Sequence, residues 1–244
     1  MIDSHCHLDL AAFDADREAV LARATTAGVT GILVPAVRPS TWDAVIALRS
    51  PLVRIALGIH PQIVPELTSA EQLTAESLAE AARAAGAIAI GETGLDGGTD
   101  DHATQERLFR LHLRAARLAD LPVVIHVLRA HDRAPQLLRE EGPVTGVMHS
   151  YSGGAELVPI YRDLGLAFSF AGPVTYANAR RPLEAVRAVP PELLLAETDA
   201  PDQAPARHRG GRSEPAFVTE VVAALAALQP TANTAANARR IFRW

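Results

Sequence analysis

Two histidines one residue apart, His5 and His7, follow a short apolar lead at the start of the chain. In an extended segment, residues i and i+2 point to one face, so the two imidazoles stand side by side while Cys6 faces the other way. Two neutral nitrogen donors on one face make half of a metal site. Taken alone, the pair could equally be a strand with idle histidines. Further candidate donors fall in equivalent places. His60 precedes Pro61, Glu92 follows Ala87-Ile88-Ala89-Ile90-Gly91, and His126 follows Val123-Val124-Ile125. His149 follows Gly146-Val147-Met148, and Glu197-Thr198-Asp199 follows three leucines and an alanine. Five of the nine histidines close short apolar runs in this way. A carboxylate at such a position is costly to bury unpaired, and a cation relieves that cost.

The elements between these residues must bring them together. The apolar runs Met1–His7, Gly31–Ala36, Val53–His60, Ala87–Glu92, Pro122–Val127, Gly146–Ser150, Leu166–Ala171 and Leu193–Asp199 read as buried strands of a parallel sheet. Between them, segments of helical period predict helices over Asp14–Ala27, Thr41–Leu48, Ala70–Ala85, Thr104–Ala119, Asp132–Glu140, Ala155–Leu164, Asn178–Val189 and Pro215–Leu228. A short extra helix near Asn233–Phe242 closes the chain. Gly28, Gly86, Gly142 and Gly165 stand just past predicted helices, where a left-handed residue is wanted. Eight strands alternating with eight helices, with no composition shift or long linker, predict an α/β fold of one domain over 1–244, a (β/α)8 TIM-type barrel. An open doubly wound sheet competes, but no Gly-X-Gly-X-X-Gly follows the first strand. In a barrel, the C-terminal strand ends form one rim where chemistry lies. The Pro/Arg/Gly-rich stretch Ala200–Ser213 is expected over that mouth.

Composition sets limits on partners. A net charge of −5 is no footprint for a protein that coats nucleic acid, so a DNA substrate would need help from metal ions and a few arginines. All basic residues are Arg, which reads as a compositional habit of the source. A single Cys excludes an intrachain disulfide and fits a reducing compartment. No signal peptide is visible and no apolar run approaches the roughly 20 residues needed to cross a bilayer, so a cytoplasmic location without a membrane partner is expected. Nothing implies a protein partner.

The stretches IDSHCHLD, GIHP, GETGLD, VVIH, MHSYSGG, LLLAETDAP, RSEP and NTAANARRIF, in that order from residue 2 to about 242, resemble the TatD family of metal-dependent hydrolases. The family is regarded as deoxyribonucleases among the amidohydrolase-like barrels. The resemblance implies a TIM-type barrel with a pair of divalent metal ions and metal-assisted hydrolysis of phosphodiester bonds in DNA. A deep barrel mouth suits an exonuclease acting on single strands or ends better than a flat, basic duplex-binding face would. Position by position, the resemblance implies His5 and His7 for one metal and Glu92 as the bridging carboxylate. It implies His126 and His149 for the second metal, Asp199 beside the first, and His60 facing substrate. Thr93, Val127, Ser150, Tyr151 and Ser213 depart from the usual pattern; none is a proposed ligand, but Val127, Tyr151 and Ser213 bear on substrate choice.

The chemistry also follows from residue types. Two cations about 3.5–4 Å apart and bridged by one carboxylate lower the pKa of a water between them to roughly 7. Glu92 fits the bridge because it has two oxygens, and with no Lys in the chain a carbamylated lysine is excluded. Asp199 is the candidate general base. Nitrogen donors lean towards Zn or Mn, while open water positions admit Mg. Glu197, two residues before Asp199, is read as a structural group one layer deeper. Asp3 and Asp9 either fix imidazole tautomers or cap turns. His102 and His112 read as surface residues and Cys6 as an inert buried thiol. Arg129 and His131 could meet a phosphate or form a solvated loop, and the cluster Arg207, His208, Arg209 and Arg212 is equally open. Glu214-Pro215 reads as a helix start. The alternative to a nuclease is an amidohydrolase or lactonase with the same two-metal site; a metal-free binding barrel ranks last.

Overall fold

The computed structural model describes all 244 residues, the side chain of Ala70 excepted. Eight parallel strands follow one another in chain order: β1 (Ile2–Asp3), β2 (Gly31–Pro35), β3 (Val53–Leu57), β4 (Ala89–Asp96), β5 (Val123–Leu128), β6 (Gly146–Met148), β7 (Leu166–Phe170) and β8 (Leu194–Ala196). Helices α1 (Arg17–Thr26), α2 (Trp42–Ala47), α3 (Ala75–Ala85), α4 (His102–Ala119), α5 (Ala134–Glu141), α6 (Val158–Asp163), α7 (Arg180–Ala188) and α8 (Val218–Leu228) alternate with them, and α9 (Thr234–Phe242) ends the chain. This is the (β/α)8 barrel with one extra helix that the alternation predicts.

The barrel closes between β8 and β1. The Ser4 amide donates to the Ala196 carbonyl at 3.1 Å, and the Asp199 amide donates to the His5 carbonyl at 2.9 Å. Asp3 clamps the seam: its carboxylate accepts from the Thr198 amide at 2.9 Å and the Thr198 hydroxyl at 2.6 Å. Asp3 therefore ties backbone together and touches no imidazole ring.

Strand alternation sorts the core into two parts. Ile2, Leu33, Ala56, Ala89, Val124, Val147, Ala167 and Leu195 fill the barrel interior, and Ala238 and Phe242 of α9 join them. The opposite faces, such as Ile32, Val34, Ile55, Val123, Ile125 and Phe168, pack in the larger cluster with the helices. Cys6 belongs to that helix-facing cluster and is fully buried. Two residues beyond the interior layer, the same faces carry Ser169, His126, His149 and Glu197. The site is the layer above the core.

Strand ends depart from expectation in an informative way. β1, β3, β6 and β8 stop before their histidines or acids, because the ladder ends where the chain turns into the mouth. β4 instead runs four residues past Glu92. A register shift between Ile90 and Thr93 sets Gly91 and Glu92 outside the ladder, and Thr93 to Asp96 then rejoin β5. Gly58 makes room for this bulge: a Cβ there would lie 2.5 Å from the Glu92 carbonyl oxygen. The helix expected from Ala70 starts at Ala75, where Thr74 caps it by accepting from the Ser77 amide. Gly28, Gly86, Gly142 and Gly165 all have positive φ. At the end of the barrel opposite the mouth, Arg49 donates to the Ala85 carbonyl, Arg83 to Leu118 and Arg243 to Asp120, so guanidinium groups meet the carbonyl ends of α3 and α4.

Candidate metal centre

Glu92 sits at the centre of the mouth, fully buried, with imidazoles around both oxygens. Its Oε1 lies 2.7 Å from His149 Nε2, 2.9 Å from His60 Nε2 and 3.1 Å from His126 Nδ1. Its Oε2 lies 3.0 Å from His5 Nε2 and 3.4 Å from His7 Nε2. Asp199 Oδ1 is 3.6 Å from both His5 and His7 Nε2. Residues spread from 5 to 199 thus converge on one carboxylate. Three groups of side chains (His5, His7 and Asp199; His60, Glu92 and His126; His5, His149 and Glu197) each bring their donor atoms within 4.8 Å of one another. Together they offer the imidazole and carboxylate donors that a divalent ion takes.

Two of these rings have a carboxylate behind them, and a third has its tautomer set by a backbone hydrogen bond. His126 Nε2 faces Asp96 Oδ2 at 3.5 Å, so Nδ1 is the atom turned to Glu92. His149 Nδ1 faces Glu197 Oε1 at 3.6 Å, so Nε2 is turned to the centre. In both, a carboxylate stands on the outer side of the ring and the inner nitrogen faces Glu92. His60 is the reverse. Its Nδ1 accepts from the Gln62 amide at 3.0 Å, which leaves the proton on Nε2, the atom beside Glu92. His60 is therefore a hydrogen-bond donor into the site.

Electrostatics separate the same groups. Burial is the largest effect on Glu92 and would raise its carboxyl, but the charges of His149, His60 and His5 carry it well below the carboxylate range. His149 is likewise opposed by burial, yet Glu92 and Glu197 lift it well above the usual imidazole value. Burial also works against a proton on His126, which Asp96 and Glu92 raise. His5 and His60 are lowered by burial first. The negative centre draws positive charge onto surrounding nitrogens, and a divalent cation would compete for those same lone pairs. Glu92 Oε2, His5 Nδ1, His7 Nδ1, His126 Nε2, His149 Nδ1 and Glu197 Oε2 are buried without a hydrogen-bond partner among the described residues. Buried imidazole and carboxylate atoms left without partners around one centre fit metal ions.

The site opens into a cavity of about 550 Å³. Asp202 and Gln203 of the 200–213 loop reach it, and Gln203 donates to Asp199 Oδ2 and, at 2.6 Å, to Ser150 Oγ. The rest of that loop is anchored away from the cavity. Arg212 pairs with Asp16 at 2.8 Å and lies over Phe13, Arg209 lies over Tyr176, and His208 meets Glu220 at 2.8 Å. Arg129 is exposed and lines a separate crevice of about 220 Å³ beside Gly97 and His102. The structure does not bring it to the metal cluster.

Other readings need correction. His112 is fully buried: Nε2 accepts from the Ile59 amide at 3.0 Å and Nδ1 donates to the Leu108 carbonyl at 2.7 Å, tying α4 to the loop that carries His60. His102 is exposed, as expected. His131 is no solvated loop residue, since both ring nitrogens are hydrogen-bonded. Glu214-Pro215 does open a helical turn, Pro215–Phe217, as expected, while the Glu214 side chain grips Arg23 of α1 with both oxygens, at 2.6 to 3.1 Å. One residue of the site escaped the sequence reading altogether. Asp96, almost fully buried, is held by the Gln62 side chain and the Gly98 amide, both at 2.8 Å, against His126. It lies four residues after Glu92, and that spacing was the available signal.

The sequence model of the family described as TatD related DNase matches residues 2–243. The chain is 37% identical over 236 residues to the uncharacterized metal-dependent hydrolase YjjV of Escherichia coli K12, covering 93% of this chain and 90% of that protein. It is 34% identical over 255 residues to the uncharacterized metal-dependent hydrolase YabD of Bacillus subtilis, covering 100% and 99%. The crystal structure of the E. coli YjjV protein, a TatD homologue, superposes with a TM-score of 0.90 at 32% identity, covering 99% of this chain and 97% of that one.

Proposed function

The chain belongs to the TatD family of metal-dependent hydrolases, and from that premise we propose that it hydrolyses phosphodiester bonds of DNA, working as an exonuclease on single strands or ends. One observation carries the reading: Glu92 meets imidazoles on both of its oxygens, as a carboxylate shared between two ions must. In this reading His5, His7 and Asp199 would hold one divalent ion, His126 and His149 the other, and Glu92 would be shared by both. When bound, the ions supply Lewis-acid stabilisation of phosphoryl charge and a water acidified to near neutral pH.

The chain's own groups do the rest. Asp199, partly open to the cavity and hydrogen-bonded by Gln203, accepts the proton of the attacking water. His60, with its proton on Nε2, donates to a substrate oxygen and helps hold the phosphodiester in line. Asp96 and Glu197 keep the rings of His126 and His149 turned inward. Arg129, exposed on the neighbouring crevice, would meet a flanking phosphate rather than the reacting one.

A second reading, an amidohydrolase or lactonase for a small molecule, is favoured by the cavity wall, which carries no arginine among the described residues. The test is a panel run with metal-analysed protein. Nucleotide release from single-stranded DNA supports the nuclease; turnover of lactones or cyclic amides without it moves the assignment to the alternative.

A further inference from the structure

A partly buried hydrogen-bond chain reaches the same cavity from behind β5 and β6. Tyr161 of α6, fully buried, places its hydroxyl 2.9 Å from His131 Nδ1. His131 Nε2 lies 3.1 Å from Ser152 Oγ, and Ser152 Oγ lies 2.9 Å from the Val127 carbonyl oxygen. Ser152 lines the cavity along with His126 and His149.

Proton counting fixes the direction of this chain. The Tyr161 hydroxyl meets no partner but His131 among the described residues, so its proton goes to Nδ1. The reverse arrangement would strand a buried O–H with nothing to bond. A neutral ring that accepts at Nδ1 carries its proton on Nε2 and donates it to Ser152. Burial, aided by Arg181, holds His131 down at about 4, which keeps the ring neutral at pH 7. Ser152 then gives its own proton to Val127, whose carbonyl can only accept. What remains for the cavity is a lone pair.

Resting on the phosphodiesterase reading above, we propose that Ser152 is a substrate-binding residue of fixed polarity, accepting a hydrogen bond from a sugar hydroxyl or base amino group beside the scissile bond. A phosphate oxygen, with only lone pairs to offer, is turned away there. His131 and Tyr161 are positioning residues that act through Ser152.

Three p-nitrophenyl phosphodiesters test this: that of deoxycytidine, its analogue without the free sugar hydroxyl, and its analogue with 2-pyrimidinone, cytosine lacking the amino group. Wild-type protein should lose about three- to tenfold in kcat/KM on removal of one of the two donors, and which one identifies the contact. In Ser152→Ala and in the conservative Tyr161→Phe, that ratio should fall to about one. Equal handling of all three esters by the wild type, or an unchanged ratio in the variants, overturns the proposal. Nitrogen NMR of His131 gives an arm independent of turnover: a proton on Nε2 supports the chain, and a proton on Nδ1 overturns it. Hydrolysis of none of the esters would count against the phosphodiesterase reading and leave the NMR result to decide the polarity of Ser152.

Discussion

Glu92 concentrates the chemistry of the mouth in one side chain. Glu92→Gln keeps the shape but removes the charge and turns one oxygen into an amide that points protons at lone pairs. Hydrolysis should drop by more than the roughly 10–100-fold typical of an outer-shell change, with circular dichroism unchanged; wild-type turnover would rule out the bridging role. Asp96 acts one step back. Asp96→Asn removes the carboxylate facing His126 Nε2 and should weaken metal affinity about 10–100-fold, read by titrating metal into stripped protein. An affinity equal to wild type would show that His126 holds its orientation without it. Five histidines and two acids of this mouth were legible because each closes an apolar run. Asp96 was not, since reading β4 as ending at Glu92 hid the four residues beyond the bulge. His112 was legible in principle: it stands four residues after Leu108 and three after Phe109, on the buried stripe of α4.

At the level of elements, His112 couples α4 to the loop after β3, and its titration should be visible in stability. Burial lowers it from an ordinary 6.5 to about 4. Below pH 6.5 the unfolded chain takes up a proton that the folded chain refuses, so stability is full above 6.5 and falls as pH drops towards 4. The loss amounts to about 3 kcal/mol at most. Denaturant midpoints of wild type and His112→Gln, measured between pH 7 and 4, should converge with acidification; parallel curves would contradict the assignment. The number and order of strands and helices were legible from periodicity alone. Their ends were not, because a strand stops where backbone partners run out, and only the neighbouring strand determines that. The β4 bulge and the space Gly58 leaves for it belong to this class. So does the grip of Glu214 on Arg23, which joins residues nearly two hundred positions apart.

For the molecule as a whole, metal should be a structural load as well as a catalytic one. Ions that bind the folded cluster and not the unfolded chain, at about a thousandfold their dissociation constant, stabilise by about 4 kcal/mol. For a chain of this length that is about 8–16 °C of melting temperature. Calorimetry before and after chelation should show that drop, with recovery on adding back Zn or Mn; an unmoved transition would mean that no ion rests on Glu92. The seam between β8 and β1 adds a constraint in time. His5 and His7 are synthesised first, while Asp199 and the Thr198 that Asp3 clamps come nearly two hundred residues later. At ordinary translation speeds the early histidines wait roughly 10–40 s for their partners. No nascent fragment short of residue 199 can assemble the whole cage, so its full set of ligands exists only once the last strand has been added.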